Sequence, residues 1–159
     1  MTNEADPLLM SLKPNYADLV FSGLKTAELR RRIWREEEVR DVFLYVSSPV
    51  KELRGGFTVG EVWKGSPEEI WKVVSGFAGV SEGEFNAYFE GRKIAFALEI
   101  TGVWEYARPL SLESLREKFP KFVVPQSYRY LKKDEASCFR RLTQKTISSE
   151  RQLIPVGVS

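Results

Sequence analysis

The spacing of apolar residues along the chain predicts a mostly β protein with short helices between its strands. Four apolar or alternating runs predict strands: residues 8–12, 41–47, 53–63 and 94–101. A glycine pair, Gly55 and Gly56, interrupts the third run and predicts a bulge or sharp bend there. A further short strand is predicted over 122–125. The pattern therefore favours an α+β fold with a mainly β core.

Capping signals predict five short helices. Pro14 suits the first turn of a helix that Gly23 ends. Capping boxes predict helices after Ser66, running to about residue 74, and after Ser81, ending before residue 91. These two helices form a predicted insertion between strands. Ser111 is the predicted N-cap of a helix over residues 112–118. Asp134 is the predicted N-cap of a last helix that ends near residue 142.

The most unusual stretch follows Gly23, where a strand is predicted over residues 26–32. Alternation sends Ala27 and Leu29 into the core. Burying unpaired charge is costly, so the opposite face is expected to meet water or a polar ligand. Lys25 lies at the entrance to that face, just before the strand begins. That face carries Thr26, Glu28, Arg30 and Arg32.

Composition narrows the functional classes. The 159 residues have a formal charge of only +2, so any case for nucleic acid depends on local clustering of charge. The chain has no histidine, so a serine–histidine triad and a histidine metal site are excluded. Its single cysteine, Cys138, cannot form an internal disulfide. No Walker loop or dinucleotide fingerprint is present, and neither cofactor nor metal is expected. The polar start and the lack of a membrane-length apolar run predict a cytoplasmic location.

Three pieces of the sequence resemble ASCH domains. The Gly-x-Lys-Thr-x-Glu-x-Arg run at 23–30, preceded by the Lys-Pro pair at 13–14, is similar to the opening of that family. Ser-Ser-Pro at 47–49 and Pro-Gln-Ser-Tyr-Arg-Tyr-Leu at 125–131 are similar to one branch of it. The resemblance covers residues 8–131 and implies a small bent PUA-like β-barrel flanked by helices. Residues 132–159 are then expected to be a C-terminal extension, a helix plus a polar tail.

The resemblance also implies a groove that binds RNA or a nucleotide, in RNA metabolism, translation or transcription regulation. Guanidinium groups pair with phosphates or guanine edges, and single-stranded RNA stacks on aromatic rings and arginine planes. Trp34 is a further candidate for stacking. The competing interpretation is purely structural. The strand would be a solvated sheet edge, Ser47 and Ser48 would cap a turn, and residues 126–130 would form a surface loop. The predicted binding residues are Lys13, Lys25, Thr26, Glu28, Arg30, Arg32, Ser47, Ser48, Gln126, Ser127, Tyr128 and Arg129.

Two other functions stay open at this point. Some members of the family are amidohydrolases acting on acylated cytidine, and a ribonuclease activity is also associated with the family. Either would use Lys25 and Glu28 as the catalytic pair. The amidohydrolase pattern needs a threonine three residues after the lysine, where this chain has Glu28, and a distant glutamate such as Glu61 or Glu99. The second alternative is an interaction module in transcription or translation, with a protein partner and no ligand of its own.

Overall fold

One curled, mixed sheet of six strands organises the part of the chain that the structure describes. The computed structural model describes residues 6–34 and 41–146. The strands are β1 Leu8–Leu12, β2 Ala27–Arg30, β3 Asp41–Val46, β4 Glu52–Gly65, β5 Ala95–Ser111 and β6 Tyr128–Tyr130. The helices are α1 Pro14–Phe21, α2 Pro67–Val74, α3 Glu82–Tyr88, α4 Leu112–Lys118 and α5 Lys133–Arg140. None of these helices is long and apolar enough to cross a membrane.

The strand order is β2-β5-β4-β3-β1-β6, with β1 and β3 parallel and every other pair antiparallel. The long strands β4 and β5 lose register at three places, one of them between Leu53 and Gly55. Such bulges bend and twist a strand, which lets a sheet curl toward a barrel. The predicted α+β, mainly β, barrel-like fold is confirmed.

Alternation along the strands divides the apolar residues between two sides of the sheet. Leu8 and Met10 of β1 pack inside the curl with Leu44 of β3, whereas Leu9 and Phe43 point outward. The outer side is covered by α4 and α5, which contribute Leu115 and Phe139 among others. The central sheet is therefore buried on both faces.

Helices α2 and α3 form the insertion between β4 and β5; α2 packs on those two strands, and α3 reaches β2 through the Tyr88 hydroxyl, which donates to the Leu29 carbonyl at 3.4 Å. Ile70 and Phe85 join Ala27 and Leu29 in a third apolar cluster. In each helix the capping serine accepts the backbone N–H of a glutamate whose side chain returns to the serine, as predicted. The insertion is thus a firmly packed part of the fold.

Three sequence predictions need correction. The strand predicted over 122–125 does not form; Phe122 is buried, and the Pro125 carbonyl accepts the Ser11 hydroxyl at 2.6 Å. The last helix begins at Lys133, because the Glu135 carboxylate accepts the Lys132 N–H at 2.8 Å, and it ends at Arg140 rather than near residue 142. Strand β2 is shorter than predicted and leaves Thr26 and Arg32 outside it.

Substitution of Gly55 tests the close approach of β4 and β5. A Cβ there would overlap the Trp104 carbonyl oxygen and come within 2.9 Å of the Glu105 Cα. We expect Gly55→Ala to lower the free energy of unfolding by about 2–3 kcal/mol, because overpacked sites relax poorly. Urea unfolding measures the loss.

Gly83→Ala is the matched control. Its Cβ would lie 3.9 Å from the Ser81 hydroxyl oxygen, an ordinary contact, and the residue lies in α3. Alanine suits a helix better than glycine, so stability should rise by up to about 1 kcal/mol. Equal responses of the two variants would show that β4 and β5 do not meet closely at Gly55.

Candidate functional site

A cavity of about 660 Å³ opens where the curled sheet meets the insertion, and we call it the cleft. Its sheet wall comes from the ends of β1 and β3 and from the segment before β6, with Lys13, Ser47 and Ser127. Its insertion wall comes from α3 and its flanks, with Glu84 and Tyr88. The floor is formed by Tyr16, Lys25, Glu28 and Arg30.

Three charged side chains of the floor form a buried ionic cluster. Lys25, Glu28 and Arg30 are only 2%, 5% and 8% exposed. The Lys25 ammonium lies 3.2 Å from Glu28 Oε1, and Arg30 donates from Nε and Nη2 to Glu28 Oε2 at 3.0 and 2.7 Å. These side chains line the cleft, as expected for a face that meets a polar ligand, but little of them reaches solvent, because both cations pair with Glu28 inside the protein.

Lys25 is engaged on every side. Besides Glu28, its ammonium donates to the carbonyl of Ala27 at 2.8 Å and to that of Ala78 at 2.6 Å. An ammonium has three protons, and each has an acceptor here. Lys25 therefore fastens the insertion, through Ala78, to strand β2.

Arg30 bridges the two edges of the sheet. Its Nη1 donates to the Ser127 hydroxyl at 2.9 Å, and its Nη2 lies 3.4 Å from the Ser11 carbonyl oxygen. Ser11 and Ser127 are themselves joined by a backbone hydrogen bond of 3.0 Å. The guanidinium thus reaches from the edge strand β2 to β1 and to the residue that precedes β6, the opposite edge strand.

Glu28 is ionised at neutral pH. Burial alone would raise the pKa of its carboxyl, but the charges and hydrogen bonds of Arg30 and Lys25 outweigh burial and hold the pKa below its usual value. With one anion between two cations, the cluster leaves a net positive charge in the floor of the cleft.

Exposed cations surround the cleft. They are Lys13, Arg31, Arg32 and Arg92. Arg31 is held in place, since its Nε donates to the Tyr88 carbonyl at 2.7 Å and its guanidinium lies 4.3 Å from the centre of the Tyr88 ring. Against these cations, Glu84 is the exposed carboxylate among the described residues of the lining.

The structure brings most of the sequence-predicted residues into the cleft lining: Lys13, Lys25, Glu28, Arg30, Arg32, Ser47, Gln126 and Ser127. The other four do not line it. The backbone N–H of Thr26 donates to Phe77, and Ser48 lies in the turn after β3. Tyr128 packs edge-on against Trp34, and Arg129 forms two hydrogen bonds to the Glu135 carboxylate, at 2.8 and 2.9 Å.

Trp34 is not a stacking surface. It is 6% exposed and belongs to the cluster inside the curl, so its ring is covered by core residues. Glu61 and Glu99, considered above as a distant glutamate, lie outside the cleft lining, and Glu99 accepts the Glu61 N–H. The sequence also has three consecutive glutamates at 36–38, a pattern typical of a solvated run of charge, and these lie outside the described residues.

Several residues that line the cleft were not predicted from the sequence: Ser11, Tyr16, Arg31, Glu84, Tyr88 and Arg92. The capping box indicated the helix that carries Glu84 and Tyr88, but no local pattern showed that this helix would face β2. Within residues 6–34 and 41–146, no group of three or more potential ligands could hold a metal ion.

Comparison with known proteins identifies relatives of this chain. The model of the family described as ASCH domain matches residues 10–116. A protein of Zymomonas mobilis named ASCH domain-containing ribonuclease is 32% identical over 145 residues, covering 91% of this chain and 93% of that protein.

Solved structures agree with these matches. The crystal structure of ASCH from Zymomonas mobilis superposes with a TM-score of 0.77 at 28% identity, covering 90% of this chain and 99% of that one. The N-terminal domain of McrB from Staphylothermus marinus shares the fold, with a TM-score of 0.54 at 9% identity, covering 86% of this chain and 93% of that one.

Glu28→Gln tests the buried cluster. Removing one partner of a buried ion pair costs about 3–5 kcal/mol, and we expect a loss of that size at pH 7. The folded-state pKa of Glu28 lies below its ordinary value of 4.5, so its stabilising effect is complete above pH 4.5 and is lost as the pH falls further. The gap between wild type and variant should therefore narrow below pH 4.5, which urea unfolding at several pH values measures.

Asp41→Asn is the control for an exposed pair. Asp41 contacts Arg140 at 3.0 Å, with side chains 30% and 48% exposed. Such pairs contribute less than about 1 kcal/mol. A loss for Glu28→Gln no larger than for Asp41→Asn would contradict the structural role of the cluster.

Proposed function

The chain belongs to the ASCH domain family, and from that premise we propose that it binds single-stranded RNA in the cleft. The observation that carries the proposal is the set of exposed cations around a cavity whose volume suits a nucleotide-sized ligand. The formal charge of +2 hides this local concentration. Because the Zymomonas relative is named a ribonuclease, we place the role in RNA metabolism.

The cleft offers partners for both parts of a nucleotide. Lysine and arginine on the rim suit phosphates, and the Arg31 guanidinium is already oriented by Tyr88. The rings of Tyr16 and Tyr88 and the guanidinium plane of Arg31 suit bases, which stack on aromatic and arginine surfaces in single-stranded RNA. The hydroxyl of Ser127 and the amide of Gln126 add polar contacts on the opposite wall.

Titration of a short fluorescent single-stranded RNA at several salt concentrations tests the proposal. Phosphate contacts release counterions, with a log–log slope of about −0.7 for each phosphate neutralised on a single strand. Four rim cations predict a slope of roughly −3. The double variant Arg31→Ala, Arg92→Ala should weaken binding at least tenfold at low salt and reduce the slope by about 1.4.

Arg116→Ala is the matched control, because Arg116 is an exposed arginine of α4 outside the cleft. It should change the affinity less than twofold. If it weakened binding as much as the double variant, the attraction would be diffuse surface charge. If no RNA bound at low salt, the interaction module would be the better account.

A ribonuclease is the second candidate, and the name of the Zymomonas relative favours it. Lys25 and Glu28 are unsuited as a proton-exchanging pair, because all three ammonium protons and both carboxylate oxygens are engaged inside the protein. We therefore assign them to holding the cleft floor. The amidohydrolase alternative has no comparable support, since Glu28 occupies the position of the expected threonine.

Incubation of end-labelled RNA with the protein decides between binding and cleavage. If the cleft cleaves RNA through the ribose 2′-hydroxyl, a single 2′-deoxy substitution should abolish cleavage at that linkage while binding persists. The double variant Arg31→Ala, Arg92→Ala should slow cleavage at least tenfold, because it lacks two rim cations near the phosphate. Cleavage at full rate in that variant would point to a different site or to a contaminating nuclease.

A further inference from the structure

One carboxylate stands in the otherwise cationic rim of the cleft. Glu84 is exposed and lines the cavity beside Tyr88 and Arg92. The other carboxylate of the lining, Glu28, has both oxygens in ion pairs with Lys25 and Arg30. A carboxylate repels phosphate, so Glu84 opposes the electrostatic attraction that the surrounding arginines create.

The position of Glu84 is well defined. Its Oε1 accepts the backbone N–H of Ser81 at 3.1 Å, and its own N–H donates to the Ser81 hydroxyl at 3.1 Å. The bonds with Ser81, and to a smaller extent the nearby Tyr16 hydroxyl, lower the pKa of Glu84, so the group is anionic at neutral pH.

Helix capping alone explains why a glutamate occupies position 84, but it does not explain why that glutamate faces the cleft. Glu69 makes the same capping box with Ser66 at the start of α2, and it does not line the cleft. Glu84 differs because it faces the cavity, whose lining also includes Tyr16. A carboxylate has about four lone-pair sites, so capacity remains for a ligand.

We propose that Glu84 selects the base bound in the cleft, favouring bases that present amino hydrogens, guanine most, and rejecting uracil. This inference rests on the proposed RNA binding. The Watson–Crick edge of guanine presents an imino and an amino hydrogen side by side, which a carboxylate can accept together. Adenine and cytosine present one amino group. Uracil places a carbonyl oxygen on each side of its single N–H, and those oxygens face the carboxylate unfavourably.

Hydrogen bonds to an ionised acceptor are about twice as strong as neutral ones. A favourable edge contact of this kind supports a discrimination of roughly tenfold in affinity. Phosphate contacts from the rim arginines carry no base information. The same cleft thus contains one set of groups for affinity and one group for selectivity.

The test compares three five-residue RNAs at low salt: all uridine, uridine with a central guanosine, and uridine with a central inosine. Wild type should bind the guanosine oligomer about tenfold more tightly than the all-uridine oligomer. Inosine lacks the amino group of guanine and should fall between them. Fluorescence anisotropy gives each dissociation constant.

Glu84→Gln removes the charge but keeps a residue that can close a capping box. It should bind all three oligomers with affinities within about twofold of one another, while a thermal melt shows the fold intact. Glu69→Gln, the matched capping glutamate outside the cleft, should discriminate as wild type does.

Two results would overturn this inference alone: wild type binding all three oligomers equally, or Glu84→Gln keeping the preference for guanosine. A uniform gain in affinity in Glu84→Gln, with the wild-type ratios unchanged, would show Glu84 to be only a repulsive charge. If wild type bound none of the oligomers, the proposed RNA binding itself would be wrong, and that outcome is separate from a loss of selectivity.

Discussion

The carboxylate of Glu28 holds two cations inside the protein, and the cleft depends on that arrangement. Each of the three ions would be costly to bury alone, and the cost is offset because Glu28 pairs with both cations, while carbonyl and hydroxyl oxygens accept further hydrogen bonds from them. Through Lys25 the cluster reaches the insertion, and through Arg30 it reaches the far edge of the sheet. One buried carboxylate therefore positions both walls of the cavity.

Arg30 also explains how an open sheet can enclose a cavity. Strands β2 and β6 are the two edges, and both are short, with four and three residues. The edges approach one another, and a guanidinium bridges them at 2.9 Å from Ser127. Because a side chain closes the gap in place of a continuous backbone ladder, room remains beside it for a ligand.

Local signals in the sequence predicted local structure well. The capping boxes after Ser66 and Ser81 predicted both helices of the insertion, because a serine and a glutamate three residues later satisfy the first turn without help from the rest of the fold. Strands β1 and β3 followed from apolar runs, since a sheet covered on both faces needs apolar residues at every position.

The failures have a common cause in long-range contacts. Alternation along the strand predicted a polar face carrying Glu28 and Arg30, but it could not predict that partners distant in sequence, such as Ser127, let these side chains be buried. The apolar run at 122–125 supplies Phe122 to the core without pairing as a strand. Arg31 and Glu84 were missed as cleft residues because only the packing of α3 on β2 brings them to one cavity.

The insertion between β4 and β5 makes the two walls of the cleft separable in evolution. One wall and Arg30 belong to the sheet, where a substitution disturbs the core. The other wall is formed by the two helices inserted between the neighbouring strands β4 and β5. Surface positions on those helices can change without altering strand register. Relatives that keep the same barrel can therefore diverge in what they bind by exchanging side chains on α3, and the preferences of one member do not transfer automatically to another.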